Sequence, residues 1–133
     1  MQKYMLDTNI CIYTIKNRPT EVRDAFILHQ ERLCVSTVTA MELIYGAEKS
    51  AVPEKNFRII EEFLARLAVM DYNLPAAEHT GQLRVELQKL GKPIGPYDQM
   101  IAGHARSLGL ILITNNKREF ARVPGLRVEN WVA

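Results

Sequence analysis

Apolar positions along the chain follow two rhythms. Short runs occur at Tyr4-Met5-Leu6, Leu33-Cys34-Val35-Ser36 and Leu110-Ile111-Leu112-Ile113. Polar residues follow the first and last: Asp7-Thr8-Asn9 and Thr114-Asn115-Asn116. Runs this short, rich in branched side chains and without alternation, read as strands buried on both faces. Between them the spacing is helical. Residues 10–16 predict a short helix stopped by Asn17-Arg18-Pro19. Thr20 is a candidate cap for a second helix through Gln30, with Val22, Phe26 and His29 on one face. Residues 37–49 form a third, with Met41, Ile44 and Tyr45 at helical spacing, and Pro53 opens a fourth with Phe57, Ile60, Leu64 and Leu67.

A short strand over 67–70 follows. Pro75 then starts a helix with Ala76, Leu83, Leu87 and Leu90 inward, ended by Gly91. After the break at Lys92-Pro93-Ile94-Gly95-Pro96, another helix carries Met100, Ile101, Ala105 and Leu108 up to Gly109. Residues 126–131 predict a last strand near a sheet edge. Strands alternating with helices imply an α/β fold, a mainly parallel sheet covered on both faces. At 133 residues the chain suits one domain over 1–133, with no repeat or low-complexity linker to divide it.

Composition narrows this only a little. An apolar fraction of 47% and a charged fraction of 24% are those of an ordinary globular protein. The net charge of +2 tolerates a nucleic-acid partner without pointing to one. Cys11 and Cys34 lie in apolar stretches with no Cys-x-x-Cys, as buried thiols of a reducing compartment do. No signal peptide or membrane-length apolar run is visible, so the expected location is cytoplasmic, away from membranes. The glycines form neither a dinucleotide fingerprint nor a P-loop, and no Gly-x-Ser-x-Gly is present. His29, His79 and His104 are scattered and read as core or surface residues.

The chemistry lies with the acids. In a parallel sheet every strand ends on one side, and the helix after it begins there. Asp7 ends the first strand, Glu42 lies in the helix after the second, Asp98 opens the helix after Gly95-Pro96, and Glu119 follows the last buried run. All four can therefore reach one rim. Gathered carboxylates repel and raise each other's pKa values, and a divalent cation relieves that. Oxygen donors without His or Cys suit Mg²⁺ or Mn²⁺, which points to metal-assisted phosphodiester hydrolysis. Each acid also has a plainer account. Asp7 can cap a helix, Glu42 can close a capping box with Thr39, Asp98 suits a helix N-terminus, and Glu119 sits in a charged surface stretch.

Met5-Leu6-Asp7-Thr8-Asn9, Thr39-Ala40-Met41-Glu42-Leu43, the stretch Gly95-Pro96-Tyr97-Asp98-Gln99-Met100-Ile101-Ala102, and Thr114-Asn115-Asn116 with Arg118-Glu119-Phe120 resemble, in order, the four motifs of PIN-domain ribonucleases, in particular the VapC toxins of type II toxin–antitoxin systems. The resemblance covers essentially the whole chain. It implies a three-layer α/β/α sandwich and a Mg²⁺- or Mn²⁺-dependent endoribonuclease. Asp7 and Asp98 would be metal ligands, Glu42 a third acid acting directly or through water, and Thr114 would orient Asp7. In the fourth motif Asn116 stands where many relatives carry an aspartate, and Glu119 replaces the acid of the Arg-Asp-Phe form; the favoured fourth acid is Glu119. The resemblance further implies a tRNA substrate (the initiator tRNA anticodon stem-loop), a homodimer, and inhibition by a VapB antitoxin that covers the acidic site. Operator DNA would be bound only through that joint complex. Lys16, Arg18, Lys92, Lys117 and Arg118 are candidates for RNA phosphates.

Two other readings stay open at this level. Asp7 could be the nucleophile of an aspartyl-phosphate phosphatase, although Asn9 occupies the place of its second acid. The chain could also be a non-catalytic α/β binding module whose acids serve as caps.

Overall fold

The computed structural model describes residues 1–132. Five parallel strands form one sheet in the order β3-β2-β1-β4-β5. They are β1 (Tyr4–Leu6), β2 (Leu33–Ser36), β3 (Ala68–Met70), β4 (Ile111–Ile113) and β5 (Val128–Glu129). The connections are helical: α1 (Thr8–Lys16) and α2 (Thr20–His29) after β1, α3 (Thr37–Glu48) and α4 (Pro53–Leu64) after β2, α5 (Leu74–Leu90) and α6 (Pro96–Leu108) after β3, and the short α7 (Lys117–Phe120) after β4.

Alternation along the strands divides the interior into two cores, since successive side chains point to opposite faces. Tyr4, Leu6, Leu33, Val35, Ile111 and Ile113 face a core shared with Ile10, Val22, Phe26, Leu43, Ile60 and Phe63. Met5, Cys34 and Leu112 face the other, with Leu83, Leu87, Ile101, Ala105 and Phe120. Helices thus cover both faces of the sheet, giving the expected three-layer α/β/α sandwich. This is why the strand sequences are apolar throughout instead of alternating.

Several local details differ from the sequence reading. Helix α1 starts at Thr8, two residues early, because Asp7 caps it by accepting the Ile10 N–H at 2.9 Å. Thr20 is not a cap: Pro19 holds that position, and no side-chain bond closes the end. On α3 the inward residues are Val38, Leu43 and Ala47, while Met41 and Tyr45 are exposed. Helix α4 buries Ile60 and Phe63, and Phe57 stays largely outside. Leu90 and Leu108, the last residues of α5 and α6, are exposed. The final strand is shorter than 126–131 but does lie at the edge, paired with β4. Gly91 and Gly109 end α5 and α6 in the left-handed conformation that favours glycine. Both cysteines are buried and unpaired, and no helix among the described residues is long and apolar enough to cross a membrane.

Candidate active site

Strand β1 is the switch point of the sheet. From it the chain winds outward through β2 to β3, then returns to lay β4 on the other side of β1. Crevices at the carboxyl ends of strands open at such points, and here the crevice lies between the ends of β1 and β4. Asp7 leaves β1 into it, and Thr114 leaves β4 beside it. The Asp7 N–H bonds to the Ile113 carbonyl at 3.0 Å, so the ladder continues to the residue that carries the carboxylate.

Asp7 is only 4% exposed. Burial pushes its carboxyl up to about 6; the Thr114 hydroxyl and the Ile10 N–H work against this, the Glu42 charge adds to it, and the Asn9 N–H opposes it. The capping role of Asp7 is therefore real, yet it does not account for a buried acid whose environment resists its charge. Thr114 is fully buried and also accepts the Asn116 N–H at 2.9 Å, which fixes its hydroxyl.

Glu42 does not form a capping box. Ser36, not Thr39, caps α3, accepting the Val38 N–H at 3.1 Å. Glu42 instead reaches across to α1, where the Thr8 hydroxyl donates to Oε1 at 2.7 Å. Asp98 sits in the first turn of α6, beside Gly95: a β-carbon at Gly95 would lie 3.6 Å from Oδ2. Its carboxyl is also pushed up to about 6, first by burial and then by the charges of Glu119, Asp7 and Glu42. A helix N-terminus alone would lower that value, so the helix dipole does not explain its placement. Glu119, on α7, is not a free surface acid: Asn116 Nδ2 donates to its Oε2. The two candidates for the fourth motif thus act as a pair.

The four acids predicted from sequence lie within one another's fields. Among the described residues no three His, Cys, Asp or Glu side chains are drawn together tightly enough to enclose a cation as they stand. Mg²⁺ commonly takes one or two carboxylates and keeps several waters. The donor set fits such an ion, since it is all oxygen, half-buried and mutually repulsive.

The bases are more dispersed. Lys16, Arg18, Lys92, Lys117 and Arg118 are all exposed. Lys16 lines a groove of about 280 Å³ together with Glu42, Ile12, Ile15, Leu43 and Ile59. Arg18 shares a second, open depression with Lys16 and Tyr13. The histidines stay outside the acidic rim. His29 stacks on Trp131, His79 accepts from Arg106 at 3.0 Å, and His104 is buried against Ser36. The sequence reading took Thr8 only as a helix start and missed its hold on Glu42. Its place beside Asp7 was the available signal, but the partner is 34 residues away.

A family model for the PIN domain matches residues 4–126, a span that includes all four acids. The chain is 63% identical over 131 residues to the tRNA(fMet)-specific endonuclease VapC of Shigella flexneri, covering 98% of this chain and 99% of that protein. The chain belongs to the VapC family of PIN-domain proteins. Two solved structures place the VapC fold beside this one. DNA-bound VapBC from Salmonella typhimurium matches with a TM-score of 0.94 at 60% identity, covering 98% of this chain and 99% of that one. VapBC2 from Rickettsia felis, bound to a DNA fragment from its promoter, matches at 0.91 and 38% identity, covering 98% and 99%. The resemblance to the VapC family and the sandwich it implied therefore hold.

Proposed function

We propose that this VapC-family chain is a Mg²⁺- or Mn²⁺-dependent endoribonuclease toxin whose substrate is tRNA, with the anticodon stem-loop of initiator tRNA as the target. The observation that carries the chemistry is convergence: Asp7, Glu42 and Glu119, from distant parts of the chain, lie close enough to Asp98 for their charges to act on its carboxyl. A relative named for action on tRNA(fMet), 63% identical, supports the substrate.

In this reading Asp7 and Asp98 would hold the ion, and Glu42 would join them directly or through water. The ion would supply positive charge against that of the attacked phosphate and make a nearby water easier to deprotonate. The chain's own residues prepare the acids for that ion. Thr114 and the Ile10 and Asn9 N–H groups favour the charged, ligating form of Asp7. Thr8 holds one oxygen of Glu42 and leaves the other available. Glu119, steadied by Asn116, adds negative charge beside Asp98 and is the fourth acid of the rim. Hydrolysis joins a water oxygen to phosphorus and breaks one P–O ester bond, so the rim has to orient that water and accept its proton.

The apolar groove beside Glu42 suits an antitoxin segment of the VapB type, which would cover the acids while burying its own apolar residues. A homodimer, and operator DNA engaged only through the joint complex, complete the reading; the solved VapBC neighbours include DNA-bound complexes.

The test is direct. Purified protein is incubated with initiator tRNA and elongator tRNAs in Mn²⁺, in Mg²⁺ and in excess EDTA. Cleavage of initiator tRNA with either ion, none in EDTA, and none by folded Asp98→Asn is expected. Undiminished cleavage in EDTA, or full activity of Asp98→Asn, refutes the metal reading. Equal cleavage of all tRNAs refutes the substrate assignment.

A further inference from the structure

Outside the acidic rim the molecule holds a second buried polar cluster, in the layer where α3, α5 and α6 meet. Ser36 and His104 are 0% and 1% exposed, with Ser36 Oγ 2.8 Å from His104 Nδ1. Ser36 Oγ already accepts the Val38 N–H that caps α3. We assign the Ser36 proton to this bond, with Nδ1 accepting and the imidazole neutral and protonated at the other ring nitrogen. Burial favours that neutral form, lowering the pKa of His104 while the Asp71 charge opposes the shift.

The surroundings lock both rings and chain. Tyr72 packs edge-on against the imidazole at 5.6 Å, its N–H donates to Thr37 Oγ1 at 3.1 Å, and its hydroxyl bonds to Thr80 Oγ1 at 2.7 Å. Next to His104, Gly103 lets α6 approach α5 so closely that a β-carbon there would come within 2.8 Å of Thr80 backbone atoms. A buried polar pair costs stability relative to a well-packed apolar pair unless its geometry is good. What this pair fixes is the relation of two helices. Ser36 starts α3, which carries Glu42 six residues on; His104 lies on α6, six residues after Asp98. Six residues are about 9 Å along a helix axis, so the pair stands behind the acids and does not touch what they bind.

We propose that His104 is a positioning residue of the nuclease: through Ser36 it sets the spacing between the helix that carries Asp98 and the helix that carries Glu42. The inference rests on the nuclease reading for what those acids do, and it adds a residue that fixes how the two helices carrying them sit relative to each other.

The experiment compares wild type with His104→Leu, His104→Gln and His104→Asn, all checked for folding by circular dichroism well below their melting points. Mn²⁺ uptake is measured by calorimetry, and kcat and KM for tRNA cleavage are measured separately. Groups that hydrogen-bond a metal ligand directly are typically worth 10–100-fold; His104 acts one step further back, so Leu should weaken Mn²⁺ binding and lower kcat by about threefold to tenfold, with KM for RNA unchanged. Gln, whose amide stands near the far ring nitrogen and misses Ser36, should behave as Leu does; it decides the matter if Leu fails to fold. Asn, whose Oδ1 can take the Ser36 proton, should restore most of both quantities. Wild-type affinity and kcat in folded Leu or Gln variants overturn the proposal, as does failure of Asn to differ from Leu. If wild type cleaves RNA but takes up no Mn²⁺, the metal reading fails and the kcat arm alone decides the role of His104. A wild type that neither binds nor cleaves removes the nuclease reading and this proposal with it.

Discussion

Asp7→Asn should make the metal-free protein more stable at neutral pH while abolishing its activity. The Asp7 carboxyl stands at about 6 in the folded protein against 3.8 for the free side chain. A rise of about two units corresponds to about 3 kcal/mol between protonated and ionised forms. A group with a higher pKa folded than unfolded favours the folded state when protonated. Its contribution is complete below pH 3.8 and is lost as pH rises through about 6, so above that the folded protein carries the full cost of the buried anion. Asparagine removes the charge, remains a good helix cap and can still accept the Ile10 N–H. Allowing for an imperfect fit beside Thr114, the expected gain is about 2 kcal/mol, or roughly 6–10 °C in Tm for a domain of this size. Urea and thermal unfolding in EDTA at pH 8 measure it. The gain should shrink as pH falls from 6 towards 4. Saturating Mn²⁺ should narrow it at pH 8, because only wild type gains by binding. A variant less stable than wild type at pH 8 in EDTA, or a gain that does not change with pH, would show that Asp7 is an ordinary cap with no stored cost.

Further outcomes follow from the same geometry. Mn²⁺ affinity should be constant above pH 7 and fall steeply below 6, because protons compete at both Asp7 and Asp98; calorimetry at pH 7.5 and 5.5 checks it, and a flat profile contradicts the assignment. Thr8→Val should lower cleavage about tenfold with less than about 1 kcal/mol of stability lost, since it frees Glu42 without opening the core; kinetics and urea unfolding separate the two effects. Gly103→Ala should cost about 3 kcal/mol by forcing α6 away from Thr80, a shift visible in the urea midpoint.

Much of this molecule was legible in its sequence. Short apolar runs gave the three central strands, because burial on both faces leaves no room for polar residues in them. Pro53, Pro96, Gly91 and Gly109 marked helix ends through backbone geometry alone. The four acids were visible because parallel topology sends every strand end to one side. What sequence could not supply were pairings set by packing. The Thr39-to-Glu42 spacing imitated a capping box, yet α3 begins at Ser36 and Glu42 belongs to Thr8. Asn116 and Glu119 looked like alternatives and are partners. His104 looked like a core histidine, and nothing local reveals that its bond reaches 68 residues back to Ser36.

The central place of β1 has a consequence for the life of the chain. The strand made first needs, on one flank, the strand made almost last: the Asp7 N–H finds its acceptor only when Ile113 has been synthesised. Pairing of such distant segments is slow compared with local helix formation. A half-made chain therefore has helices but lacks the crevice wall that Thr114 provides.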